Sequence, residues 1–170
     1  MNKMLAVVVV LLWAGGAGAV DDILTRATLK GLEGVWVLIE EPDQETIAGG
    51  LTREQLETDT ELRLRKVGIK VLTFDEAART PGRPRLYVNV TTIKSDGGFY
   101  VYYGSVALIQ SALLERNQNI QTLMAETWST GSVGIVGESG MAQGVRGRVG
   151  DFVDEFINAY LSVNPITPQR

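Results

Sequence analysis

One segment limits the folds open to this chain more than any other: "LTREQLETDTELRLRKVGIKVLTF", residues 51–74. Thr52 can accept a hydrogen bond from the start of a helix while Gln55, three residues on, reaches back, and Leu51 can pack on Leu56. Leu56, Thr60, Leu64 and Val67 then recur at helical spacing, and Gly68 sits where a left-handed C-terminal cap is wanted. The apolar run "VWVLIE", 35–40, precedes this helix across the polar loop "EPDQETIAGG", and "IKVLTF" follows it. Strand, helix, strand in that order predicts a parallel pair joined by a right-handed crossover.

The middle of the chain has a different rhythm. "LYVNVTTI" and "GGFYVYYGSVALIQ" alternate apolar and polar residues about Ser95-Asp96-Gly97-Gly98, and "IQTLMAETWST" supplies a third run. Asp-Gly between alternating runs signals a hairpin, so these three strands read as an antiparallel meander. "DEAARTPGRPR", 75–85, reads as a surface connection with solvated arginines. Near the end, Val145, Val149, Phe152, Val153, Phe156, Ile157, Tyr160 and Leu161 follow i, i+3, i+4 spacing, with Asp151, Asp154 and Glu155 opposite and Asn164-Pro165 as the stop. Residues 22–30 carry a shorter helical pattern. The expected fold is α/β of the α+β kind: an open mixed sheet of about five strands, formed by the strand-helix-strand unit and the meander, with two helices on one face.

Two helices leave the other sheet face to be accounted for. Leu86, Val88 and Val90 look inward, which turns Tyr87, Asn89 and Thr91 outward. On the next strand Val101 and Tyr103 are assigned to the core and Tyr100 and Tyr102 to the outside, with a bulge at Gly104-Ser105 resetting the phase for Val106 and Leu108. The outward set is then Trp36, Tyr87, Tyr100, Tyr102 and Trp128, among Asn89, Thr91, Thr122 and Glu126. Aromatic side chains with a polar tip suit an interface. Two readings stand: a partner-binding surface, or ordinary core if loops or residues 22–30 cover that face.

The N-terminus indicates a compartment. Lys3, an apolar run from Met4 to Trp13, and Ala17-Gly18-Ala19 before Val20-Asp21-Asp22 have the order of a cleavable signal peptide, with Val20 as the mature N-terminus. The run is shorter than the ~20 residues of a spanning helix. A retained membrane anchor is the alternative. Residues 1–19 are therefore set apart as a signal peptide and 20–170 as one α/β domain, exported to the periplasm or secreted, with no stable membrane insertion after cleavage. Lys3 is the only charge in residues 1–19, so the mature chain is one unit more acidic than the −4 of the whole. An acidic domain lacks the basic footprint that nucleic acid or anionic lipid requires.

The chain has no cysteine and no histidine. This excludes disulfides, Ser-His-Asp and Cys-His nucleophile systems, and the usual zinc sites. The acids Glu40, Glu41, Asp43 and Glu45 cluster without the spacing of a calcium loop and read as a solvated run. "GSVGIVGESGMAQGVRGRVG", 131–150, is rich in glycine before a helix; Gly144, Arg146 and Arg148 could bind an anion there, although no phosphate-loop pattern is present. No catalytic constellation, cofactor site or metal site is indicated, and the chain is expected not to be an enzyme.

From Val35 to Leu161 the order of elements, with "RLRKVGIKVL" closing the helix and "LYVNV" opening the meander, resembles small bacterial envelope modules: the amino-terminal domain of the Tol–Pal propeller protein, the periplasmic domain of the curli secretion channel, and lipoprotein activators of penicillin-binding proteins. The chain departs from them in having no lipid-attachment cysteine and no propeller or pore segment. The resemblance implies a non-enzymatic adaptor that works by contact. The expected function is accordingly a protein-binding accessory module of the envelope acting through the exposed sheet face, its partner an envelope protein or a second copy in a homodimer. The alternative is a periplasmic small-ligand or anion-binding protein using the glycine-rich segment.

Overall fold

A computed structural model describes residues 21–165; the expected signal segment and the cleavage point before Val20 lie outside the described residues. The architecture is mixed α/β. A four-stranded sheet has the order β1-β2-β3-β4, with β1 (Trp36–Ile39) parallel to β2 (Arg85–Ser95), and β2, β3 (Phe99–Leu114) and β4 (Asn117–Gly137) antiparallel. Five helices accompany it: α1 (Ile23–Ala27), α2 (Gln44–Ala48), α3 (Arg53–Lys66), α4 (Phe74–Arg79) and α5 (Met141–Val163).

The local signals explain the elements. In α3 the Gln55 amide donates to Thr52 Oγ1 at 3.4 Å and the Thr52 amide donates to Gln55 Oε1 at 3.1 Å, the reciprocal cap the sequence proposes. Leu51, Leu56, Thr60 and Leu64 are buried, and the chain leaves the helix through Gly68 at φ +80°. α5 lays Val145, Val149, Phe152, Val153 and Phe156 on the sheet, against Val88, Val106, Leu108 and Trp128 in one continuous core. Its end is tied to the start of the described chain: the Tyr160 hydroxyl donates to the Leu32 carbonyl, and Asn164 accepts from the Gly31 amide and donates to the Leu29 carbonyl.

The expected fifth strand, "IKVLTF", is reduced to a single parallel bridge, Val35 to Val71, so β1 pairs in parallel with β2 and the crossover contains three helices. Thr73 is the reason. It caps α4, accepting from the Glu76 amide at 3.2 Å while Glu76 accepts from the Thr73 amide at 2.8 Å, which turns the backbone out of extension and leaves Phe74 63% exposed.

Two further expectations are corrected. β2 and β3 pair without interruption from Arg85–Ile109 to Ser95–Phe99, so there is no bulge at Gly104-Ser105. Tyr100, Tyr102, Gly104, Val106 and Leu108 share the core face, and Val101 and Tyr103 point away. A Cβ at Gly104 would lie 3.4 Å from the Phe152 ring, an ordinary contact distance, which places this position directly under α5. The glycine-rich segment is not a loop either. Residues 131–137 are β4 and 141–150 are the first turns of α5. A Cβ at Gly144 would meet Val136 at 2.9 Å, and one at Gly150 would meet the Arg63 guanidinium at 2.5 Å; these glycines let α5 approach its neighbours.

Candidate contact surface on the open sheet face

The helices divide the sheet unequally. α1, α3 and α5 cover one face, α2 closes its far end through a buried Thr46–Thr92 hydroxyl pair at 2.8 Å, and α4 meets the other face only beside Trp36. The rest of that second face carries the alternate residues of β2, β3 and β4.

It has two zones. The first is a hollow of about 280 Å³ whose floor consists of Asn89, Ser105, Ala107, Ser129 and Gly131, with Tyr87, Tyr103 and Glu126 as walls. A Cβ on Gly131 would come within 2.8 Å of the Gly104 carbonyl, so the floor is as low as the backbone permits. The Tyr87 hydroxyl donates to Glu40 at 2.8 Å. Partial burial, together with that carboxylate, pushes the phenol up to about 12. Tyr87 is therefore a neutral donor already committed to Glu40, and Glu40 and Glu126 give the hollow an acidic border. The second zone lies beyond Tyr103, where Val101 is flanked in register by Ile93 and Ile135, and Tyr103 by Thr91 and Val133. Ile93, Val133 and Ile135 are 66%, 67% and 71% exposed. Three branched aliphatic side chains displayed together on a regular sheet have the makings of a contact surface.

Of the aromatics expected on this face, Trp36 and Tyr87 are there, and Tyr100, Tyr102 and Trp128 are not. Tyr100 is 4% exposed and Tyr102 packs against the core across Gly134, a position where any Cβ would strike its ring at 2.5 Å. Trp128 is 1% exposed, lies edge-on to Phe156 at 5.4 Å and donates its indole N–H to Asp21 at 3.0 Å. The sequence reading put Trp128 on the same side as Glu126 by simple alternation. A bulge at Thr127 separates them: Leu108 pairs with Trp128 but Ile109 pairs with Glu126, and the Thr127 hydroxyl fills the break by accepting from Gln110 at 2.8 Å. Tyr103, Ile93, Val133 and Ile135 were missed. The alternation of Val133 and Ile135 about Gly134 was the available signal, hidden by reading the segment as a glycine loop.

The residues expected to hold an anion are engaged within the protein. Arg146 is held by both carboxylate oxygens of Asp59, at 2.9 and 3.0 Å, and Arg148 stacks over Phe152 at 4.4 Å while reaching Asp151. Gly144 faces Val136. In a depression of about 630 Å³ between α3 and α5 the acids are likewise taken by arginines, Asp154 by Arg63 and Asp59 by Arg146. The acids of the 40–45 loop are dispersed among separate partners: Glu40 on Tyr87, Asp43 on the Thr46 amide as the cap of α2, and Glu41 near Arg53. Among the described residues no group of three or more acidic side chains is placed to hold a metal ion, and no helix is long and apolar enough to cross a membrane. No family model matches this chain, and no curated protein is significantly similar to it.

Proposed function

We propose that this protein is an exported, non-enzymatic adaptor of the cell envelope that binds a partner protein on the open sheet face. The observation that carries the reading is the row Ile93, Val133 and Ile135, large aliphatic side chains left in solvent on regular strands beside a hollow lined by Glu126, with Glu40 held by the hydroxyl of its wall residue Tyr87. Burying such a row is favourable at roughly 25 cal/mol per Å² of apolar surface. The acidic border selects the partner: a segment bearing apolar side chains with Lys or Arg among them. A second copy brought face to face would set its own Glu40 and Glu126 beside these, so a foreign partner is favoured over self-pairing. Export rests on the order of residues 1–19, and contact rather than catalysis on the absence of histidine and cysteine and on the envelope modules that the element order resembles.

The test uses the exported chain, an Ile135→Lys variant, and immobilised extended peptides in which Val or Ile alternates with Lys, Glu or Ser. The expected result is retention by the Lys-containing peptides, at least tenfold weaker for Ile135→Lys, with unchanged melting. Equal retention on all three peptide classes, or no effect of Ile135→Lys, overturns the reading. Sedimentation of the wild type as a dimer that Ile135→Lys dissolves would also overturn it, in favour of a second copy.

A further inference from the structure

At the end of the sheet opposite the aliphatic row is a separate cleft of about 150 Å³, lined by Trp36, Phe74, Ala77, Ala78, Arg83 and Arg85. Its construction is particular. Trp36 and Phe74 meet edge to face at 5.2 Å, yet Phe74, the first residue of α4, stays largely in solvent. The two alanines form a smooth wall, and the two guanidiniums define the polar side. Arg85 donates to the Leu123 carbonyl at 3.1 Å, and among the described residues neither Arg83 nor Arg85 is paired with a carboxylate. Among those residues Arg85 is held on β4 only by uncharged groups, the Leu123 carbonyl and the Met124 sulfur, so two cations without a carboxylate partner lie beside an aromatic corner.

The backbone gives an independent sign. Arg83 is the one non-glycine residue with positive φ among the described residues, at +47°, and it precedes Pro84, where the chain favours extended conformations. The strained turn is clamped from three sides: the Arg83 amide donates to Thr80, Ser111 donates to the Gly82 carbonyl at 2.6 Å, and Trp36 donates to the Pro84 carbonyl at 3.1 Å. Strain held in place by surrounding structure is characteristic of a position kept for its side chain. Glycine would satisfy this backbone better, and arginine is there instead.

We propose that this cleft is a binding site for a carboxylate joined to a flat or branched apolar group, the apolar part against the corner formed by Trp36 and Phe74 and the carboxylate on Arg83 and Arg85. Guanidiniums recognise carboxylates through paired N–H donors, and tryptophan supplies a flat apolar wall. The volume is well below that of a site for a drug-sized ligand, so it holds one such group and no more. The same chemistry is offered by a free aromatic acid and by the C-terminal residue of a peptide.

The experiment titrates the exported chain with phenylacetate, phenylacetamide, and a short acetylated peptide ending in phenylalanine as free acid or amide, followed by calorimetry and tryptophan fluorescence. Saturable binding of an acid, with its amide at least tenfold weaker, is the expected result. Tighter binding of the peptide acid than of phenylacetate assigns the site to a chain terminus, and the reverse order to a free acid. Arg83→Gly keeps, and relaxes, the turn, so it should melt no lower than wild type while binding at least tenfold more weakly; Ile135→Lys should bind normally, which separates this site from the aliphatic row. The proposal is overturned if acid and amide bind alike, if no probe binds saturably, or if Arg83→Gly binds like wild type.

Discussion

Trp128 and Tyr103 illustrate how differently two aromatic side chains of one sheet can serve the molecule. Trp128 fills space between Leu108 and Phe156 and has its one donor satisfied by Asp21, so Trp128→Ala removes a buried ring and one hydrogen bond to a carboxylate that stays paired with Arg26. A loss of about 3–5 kcal/mol is expected from denaturant melts. Tyr103→Ala, at 39% exposure on the open face, should cost roughly 1 kcal/mol or less. Tyr87 carries a pH signature. Its folded phenol ionises near 12 against 10.0 for the ordinary group, so the fold favours the neutral form. That contribution is complete below pH 10 and disappears as pH rises through 12. Phenolate absorbance should show Tyr87 titrating late, beside Tyr160, which burial also raises, and Glu40→Gln should move only Tyr87, and only part of the way back, because burial is the larger cause.

Among the elements, α4 has the clearest test. Its cap joins Thr73, Glu76 and Lys70, and those bonds to the carboxylate hold Glu76 down to about 2. The sign follows: the cap's contribution is whole above pH 4.5 and fades as the pH falls toward 2. Glu76→Gln should remove this acid-side dependence, and Thr73→Ala should cost about 1 kcal/mol, with Trp36 fluorescence reporting the loosened Phe74. α3 and α5 were legible because caps and 3.6-residue periodicity are local properties of the chain. α4 carried an equally good signal, Thr73 followed three residues later by Glu76, which the apolar run "IKVLTF" concealed by offering a strand instead. The faces of β3 and β4 were not legible for a different reason. In "FYVYYGSVALIQ" both alternations are apolar, and only the ring of Phe152, about fifty residues later, decides that the glycine belongs in the core. The Thr127 bulge is fixed by pairing with β3, which no stretch of β4 discloses alone.

For the molecule as a whole, the division into a covered and an open face rests on α5 far more than on ion pairs. The two links from α3 to α5, Arg63–Asp154 and Arg146–Asp59, are partly solvent-exposed, and such pairs contribute about 0–1 kcal/mol each. α5, by contrast, seals Trp128, Val106 and Leu108 with a row of buried Val and Phe side chains. It also follows all four strands in the chain. All four strands precede α5 in the chain, so only α1 and α3 can lie over their apolar side until it is made, and the ties from Tyr160 and Asn164 back to residues 29–32 form only when nearly all of the described chain is available. The covered face therefore stays incomplete until α5 arrives, and the most distant parts of the described chain are joined in the same step that buries the sheet.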